Sequence, residues 1–154
     1  MALVVIMSLY VGIGALSAVG SMFLSHRFVP TKYEPALYGL FLIPVACMYL
    51  AFTSYFGEAA AWRLETVAVL AFAILGSLGT RLPVALISGY ALHGVWDLLH
   101  EIHIHAGADV FGGRESTQIP LAYGAFCSTY DLAMAAYFIF RRGYWSAAWT
   151  AKAT

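Results

Sequence analysis

The stretch Leu82–His105, LPVALISGYALHGVWDLLHEIHIH, constrains this chain more than any other. It starts as an apolar run long enough to enter a bilayer and becomes, halfway along, the most polar segment of the protein. Of the five histidines, four lie here (His93, His100, His103 and His105), together with Asp97 and Glu101. Helical periodicity puts His93, Asp97, His100, Glu101 and Ile104 on one face. A charged side chain at mid-bilayer costs roughly 2.5–3.5 kcal/mol, against roughly 0.3–0.6 kcal/mol gained per large aliphatic. The aliphatics around Leu86 to Leu99 cannot offset His93, Asp97 and His100 if these face lipid. The helix therefore belongs inside a bundle, its polar face turned toward partner helices.

The rest of the chain supplies those partners. Hydrophobic residues make up 62% of its 154 positions and charged residues only 10%, where soluble domains carry about 25% charged residues. Mean hydropathy is +0.78. The expected fold is all-α, a single polytopic membrane domain over residues 1–154 with five transmembrane helices in an antiparallel bundle. The spans are read at residues 2–25, 35–56, 60–79, 82–105 and 118–140. The first resembles a signal peptide in its small residues but lacks a positive start and runs too long, so it is read as a retained span. Within it Gly14 and Ala18, four apart, allow close helix approach. Short connections near Gly57 and Thr80 predict antiparallel hairpins. Glu58, Arg63 and Glu65 read as a solvated helix start, with Glu65 singled out because the apolar run begins directly after it. Arg141 and Arg142 are expected to stop the last span, leaving GYWSAAWTAKAT as a tail at the headgroup level.

Arginine and lysine set the orientation. Arg27, Lys32, Arg81, Arg141, Arg142 and Lys152 fall on one side of the five-span layout, against Arg63 and Arg114 on the other. The asymmetry predicts the N-terminus outside and the C-terminus in the cytoplasm. Net charge is zero, so nucleic acid is not an expected partner. Cys47 and Cys127 both fall within spans, which argues against a disulfide framework.

His93-x3-Asp97-x2-His100 puts two imidazoles and a carboxylate on successive turns, a set that suits a transition metal such as zinc or iron. Asp131, the one deep ionisable group of the last span, is positioned to add an oxygen ligand. Asp97 and Asp131 are the candidate general bases, and Trp96 and Glu65 the candidates to line the pocket. Two other readings stand beside this one. The same groups can form a hydrogen-bonded network that only locks helices together, or a proton relay. Haem is disfavoured because interior histidines occur on one span only. His103 and His105 read as a solvated helix end, and Gly107, Gly112 and Gly113 lack the strand–turn–helix context of a phosphate cradle.

Depth sharpens the placement. His93 and Asp131 lie about 18 and 20 Å from the same surface at 1.5 Å per residue, so Asp131 is expected to face the His93/Asp97 turn. Glu65, nearer that surface, is expected to approach His100 or Glu101. The reading that follows is a buried His/Asp pocket, metal-binding, that binds or acts on a small lipophilic molecule from the bilayer. The rival is an accessory subunit of a larger membrane complex, using the network for packing only; such a subunit would co-purify with its partners, whereas a binder or enzyme would stand alone or as a homo-oligomer.

A span carrying HGVWDLLHE, a polar loop and a span carrying CSTYD also resembles a small bacterial integral-membrane family of unknown function. Its members carry His-x2-Trp-Asp-x2-His-His on one helix and Cys-x3-Asp on the next, after a hairpin with Trp and Glu. The matching positions are His93, Trp96, Asp97, His100, Cys127 and Asp131, with Trp62 and Glu65 before them. The chain departs in having Glu101 at the second histidine and a longer, more charged fourth loop. The resemblance spans residues 35–140 and implies a bacterial cytoplasmic (inner) membrane location and a shared site without naming a reaction.

Overall fold

A computed structural model describes residues 1–151. It is all-α: α1 (Ala2–Phe28), α2 (Glu34–Phe56), α3 (Trp62–Gly79), α4 (Pro83–Ala106) and α5 (Tyr123–Thr150), with single 3-10 turns at Thr31–Tyr33 and Ala59–Ala61. Local chemistry sets several boundaries. Pro35 and Pro83 sit in first turns, where no intrahelical donor is lost. Gly57 and Gly107 close α2 and α4 at φ 72° and 71°, a left-handed geometry that glycine adopts without a Cβ penalty.

Successive helices alternate in direction. Along the bundle α1 packs on α5, α5 on α4, α4 on α3 and α3 on α2, while α2 also reaches α4. The polar helix α4 is therefore central. Its face Leu86, Tyr90, His93, Asp97 and His100 is buried, whereas Leu92, Val95 and Leu98 are exposed. The molecule is inside-out relative to a soluble protein: Glu34, Glu65, His93, Asp97 and His100 are 0% exposed, while Leu16, Phe23 and Phe140 are 68–78% exposed. The helical segments Ala2–Phe28, Thr31–Phe56 and Ala59–Gly79 are long and apolar enough to cross a membrane.

Close packing rests on small residues, the contact type that works between helices in lipid. Gly39 of α2 and Gly76 of α3 face each other, and a Cβ on either would run into the other's carbonyl oxygen. Gly14 of α1 sits against the Phe126 carbonyl and Thr129 of α5 in the same way, one turn from buried Ala18.

The last helix differs from its sequence-based span. It starts at Tyr123 rather than near Gln118 and continues through Thr150, so Arg141 and Arg142 do not stop it. The cause is Glu34. Its carboxylate, fully buried at the start of α2, accepts hydrogen bonds from Arg141 Nη2 (2.7 Å), Arg141 Nε (3.2 Å), Trp145 Nε1 (2.8 Å) and the Tyr137 hydroxyl. Trp149 Nε1 also donates to the Lys32 carbonyl at 3.2 Å. These bonds hold residues 141–150 against the bundle, as a helix instead of an interfacial tail. Lys152, which entered the charge asymmetry, lies outside the described residues.

Candidate functional site

The site forms where α4 and α5 meet at mid-helix. Gly94 makes the approach possible, since a Cβ there would stand 3.2 Å from Asp131 Cβ and from the Ser128 carbonyl. Next to it, His93 Nδ1 lies 2.7 Å from Asp131 Oδ2 and 3.1 Å from Asp97 Oδ2. A neutral imidazole carries one ring proton, and the shorter contact with Asp131 takes it as a hydrogen bond. Asp97 Oδ2 is accordingly buried without a hydrogen-bond partner among the described residues, and so is His93 Nε2. The other oxygen of Asp97 accepts a hydrogen bond from the Tyr49 hydroxyl of α2 at 2.5 Å. Phe72 of α3 covers the imidazole edge-on, its centroid 4.7 Å away. Helices α2, α3, α4 and α5 all contribute.

His100, read from the sequence as a ligand beside His93, is not brought into this cluster. Its Nδ1 donates to the Trp96 carbonyl at 3.0 Å, and its Nε2 lies 3.0 Å from Glu65 Oε1. Both ring nitrogens thus face oxygen atoms, one of the backbone and one of a carboxylate. Two tiers result, two turns of α4 apart, with the Tyr49 ring between them at 6.1 Å from His93 and 4.6 Å from His100. Glu65 meets His100, the partner its depth suggested, but the reading of Glu65 as part of a solvated helix start is corrected. It is 0% exposed because the loop 107–122 folds over it and donates the Thr117 N–H to Oε1 at 3.0 Å.

Two further carboxylates tie that loop down. Glu58 accepts from Gln118 N at 3.0 Å, and Glu101 from Ala122 N (3.3 Å) and Gly124 N (2.9 Å). Glu101 thereby neutralises free N–H groups at the start of α5. It also steadies Ala122, whose φ of 62° is unfavourable for a residue with a Cβ. Phe111 tucks under the loop with its ring centroid 4.8 Å from His100 and 5.4 Å from Trp96. Trp96 so lines the upper tier, its buried Nε1 without a partner among the described residues. His103 donates from Nδ1 to the Ala108 carbonyl at 2.9 Å. His105 Nε2 stands 3.8 Å from Glu101 Oε1. In the solvated loop Asp109 accepts the Gly113 N–H through both oxygens (3.0 and 2.8 Å), and that hydrogen bond holds its carboxyl below the usual range.

The lower tier has the composition of a metal site. One ligand atom each from His93, Asp97 and Asp131 lie within 4.8 Å of one another, all three residues buried. Ligands around a tetrahedral ion at about 2.0 Å stand about 3.3 Å apart. His93 Nδ1, Asp97 Oδ2 and Asp131 Oδ2, with separations of 3.1 and 2.7 Å from the imidazole nitrogen, are the atoms that would hold such an ion. The unpartnered Asp97 Oδ2 offers a free lone pair for it. Tyr49 is a contributor that the sequence analysis does not single out. Its depth, counted from the end of α2, matches that of Asp97 counted from the end of α4, and that match was the available signal.

No family model matches the chain, and no curated protein or solved structure matches it either.

Proposed function

We propose that this is an integral membrane protein whose buried His93–Asp97–Asp131 cluster holds a transition-metal ion, zinc or iron, and binds or acts on a small lipophilic molecule. The carrying observation is the convergence of one imidazole and two carboxylates at full burial. Two carboxylates on one imidazole in a low-dielectric interior call for positive charge, which a divalent ion supplies. Three protein ligands leave a coordination position open, the arrangement of catalytic rather than structural sites. A bound ion supplies a Lewis acid there, and Asp97 and Asp131 serve as ligands or general bases. Tyr49 orients Asp97, as an outer-shell hydrogen bond does for a ligating carboxylate.

In this reading all five helices cross the bilayer, with the N-terminus outside and the C-terminus in the cytoplasm. Helices α4 and α5, of 24 and 28 residues, exceed the ~20 residues that a hydrocarbon core of about 30 Å requires. Their ionisable groups at mid-helix face each other rather than lipid. On the same reading, the HxxWDxxH and CxxxD motifs support kinship with the small bacterial inner-membrane family of unknown function that the sequence resembles.

Elemental analysis of the detergent-purified protein is the test. Stoichiometric zinc or iron is expected in the wild type and should be absent from His93→Ala and Asp131→Ala. A wild type without metal, or a His93→Ala/Asp131→Ala double variant that keeps it, would leave only the hydrogen-bonded network.

A further inference from the structure

Two cavities open between α1 and α2 with α5 as their floor. One, of about 430 Å³, lies toward the end where α1 meets α2 and is lined by Leu24, Phe28, Val29 and Leu37 among others. The second, of about 270 Å³, reaches the middle of the bundle at Val45, Met48, Cys127 and Asp131. Ser21, Phe41 and Tyr130 line both, so the two form one groove. It exists because α1 packs along α5, through Gly14, rather than along α2. From Leu37 to Met48 it follows α2 for about 16 Å at 1.5 Å per residue.

The walls are apolar and the polar groups few. Mid-groove, the Tyr130 hydroxyl donates to Ser21 Oγ at 3.1 Å. At the inner end stands Asp131, its side chain 2% accessible and its far side bonded to His93. Neither Lys nor Arg lines either cavity.

We infer that this groove binds a single-chain lipophile lying between α1 and α2, with a terminal hydroxyl directed at Asp131. The inference rests on the reading of Asp131 as part of the functional site and names the class of molecule that reaches it. Charge complementarity decides the head group. A carboxylate or phosphate end would add a third negative charge beside Asp131 and Asp97, whose two carboxylates already balance one divalent ion, and no Lys or Arg in the lining offsets it. An ammonium end would lose its hydration in an apolar slot, which is costly. A hydroxyl donates to a carboxylate oxygen without carrying charge. A diacyl phospholipid can lay one chain in the groove, but its head group stays at the surface, away from Asp131.

Three probes with one chain and different heads test this. Hexadecanol, hexadecanoic acid and a phosphatidylcholine, each with the same diazirine-tagged chain, are irradiated with the full-length protein in liposomes, and adducts are mapped by mass spectrometry. The alcohol should label α2 between Phe41 and Met48 and α5 between Phe126 and Asp131, roughly tenfold above the other two, the ratio that corresponds to about 1.4 kcal/mol. Untagged hexadecanol should compete, Val45→Trp should remove the labelling by filling the slot, and Asp131→Asn should erase the preference for alcohol over acid. Equal labelling by all three probes would mean ordinary lipid contact and overturn the inference. So would preference for the acid, labelling confined to other helices, or a groove that no probe labels because a second copy covers it. The head-group comparison uses the wild-type chain, so it stands even if Val45→Trp fails to fold. Metal content of the same sample separates the two readings: a metal-free protein that still prefers the alcohol loses the ion and keeps the groove.

Discussion

His93 Nδ1 on α4 and Asp131 Oδ2 on α5 stand 2.7 Å apart, and both residues are buried. The bond joins helices that are consecutive in the chain but separated by a 16-residue connection, 107–122, so it fixes their register as well as forming the lower tier. Removing one partner leaves the other buried without its bond, at a cost of about 1–3 kcal/mol. A double-mutant cycle of His93→Phe and Asp131→Leu should therefore show favourable coupling in this range, read from unfolding in mixed micelles. Additive effects of the two substitutions would place the interaction elsewhere.

The two tiers should separate experimentally. His100→Ala is expected to leave metal content at the wild-type level, since His100 is bonded to Glu65 and Trp96 and not to the cluster. It should instead speed amide exchange at Thr117, because Glu65 Oε1 bridges His100 and the Thr117 N–H. Loss of metal with no change in exchange would join the tiers into one site.

Glu34 offers a test away from the site. It gathers Arg141, Trp145 and Tyr137 onto one buried carboxylate. Glu34→Ala should cost about 3–5 kcal/mol, the usual penalty for breaking a buried ion pair from one side. Arg142→Ala, an exposed neighbour on the same helix, should stay within about 0.5 kcal/mol of the wild type. Equal stability of Glu34→Ala and Arg142→Ala in a denaturant titration would contradict the clamp.

The difference between these clusters explains what the sequence could reveal. Asp131 was legible because it is the one ionisable group deep in its span, and counting residues from a shared surface aligned it with His93. His100 was misplaced because a helix face does not define a site: two turns of α4 meet different neighbours, α5 and α2 below, α3 and the loop above. Glu34 left no local trace. It reads as part of a polar turn, and apart from Ser25 its partners lie 103 to 111 residues away, so neither spacing nor periodicity connects them. The extent of α5 was lost with it, since the arginines that suggest an end to the span are partly neutralised by that carboxylate. Tyr49, one aromatic among many, acquires meaning only once Asp97 is known to face it.

Orientation is the remaining test, and it follows from how the helices alternate. Phe28, Gly79 and Thr150 end α1, α3 and α5, while Glu34 and Pro83 begin α2 and α4, and all five belong to one end of the bundle. That end carries Arg27, Lys32, Arg81, Arg141 and Arg142, whereas the opposite end carries Arg63 and Arg114. One of the five, Arg141, is committed to Glu34, which still leaves four against two. Short loops rich in Lys and Arg stay in the cytoplasm. A fluorescent protein fused after Thr154 should therefore light up, and alkaline phosphatase fused there should be inactive, while phosphatase inserted after Gly112 should be active. The reverse pattern would invert the protein. Phosphatase inactive at both positions would mean that α5 does not cross the membrane, and with it the shared depth of His93 and Asp131 in a five-span bundle would fall.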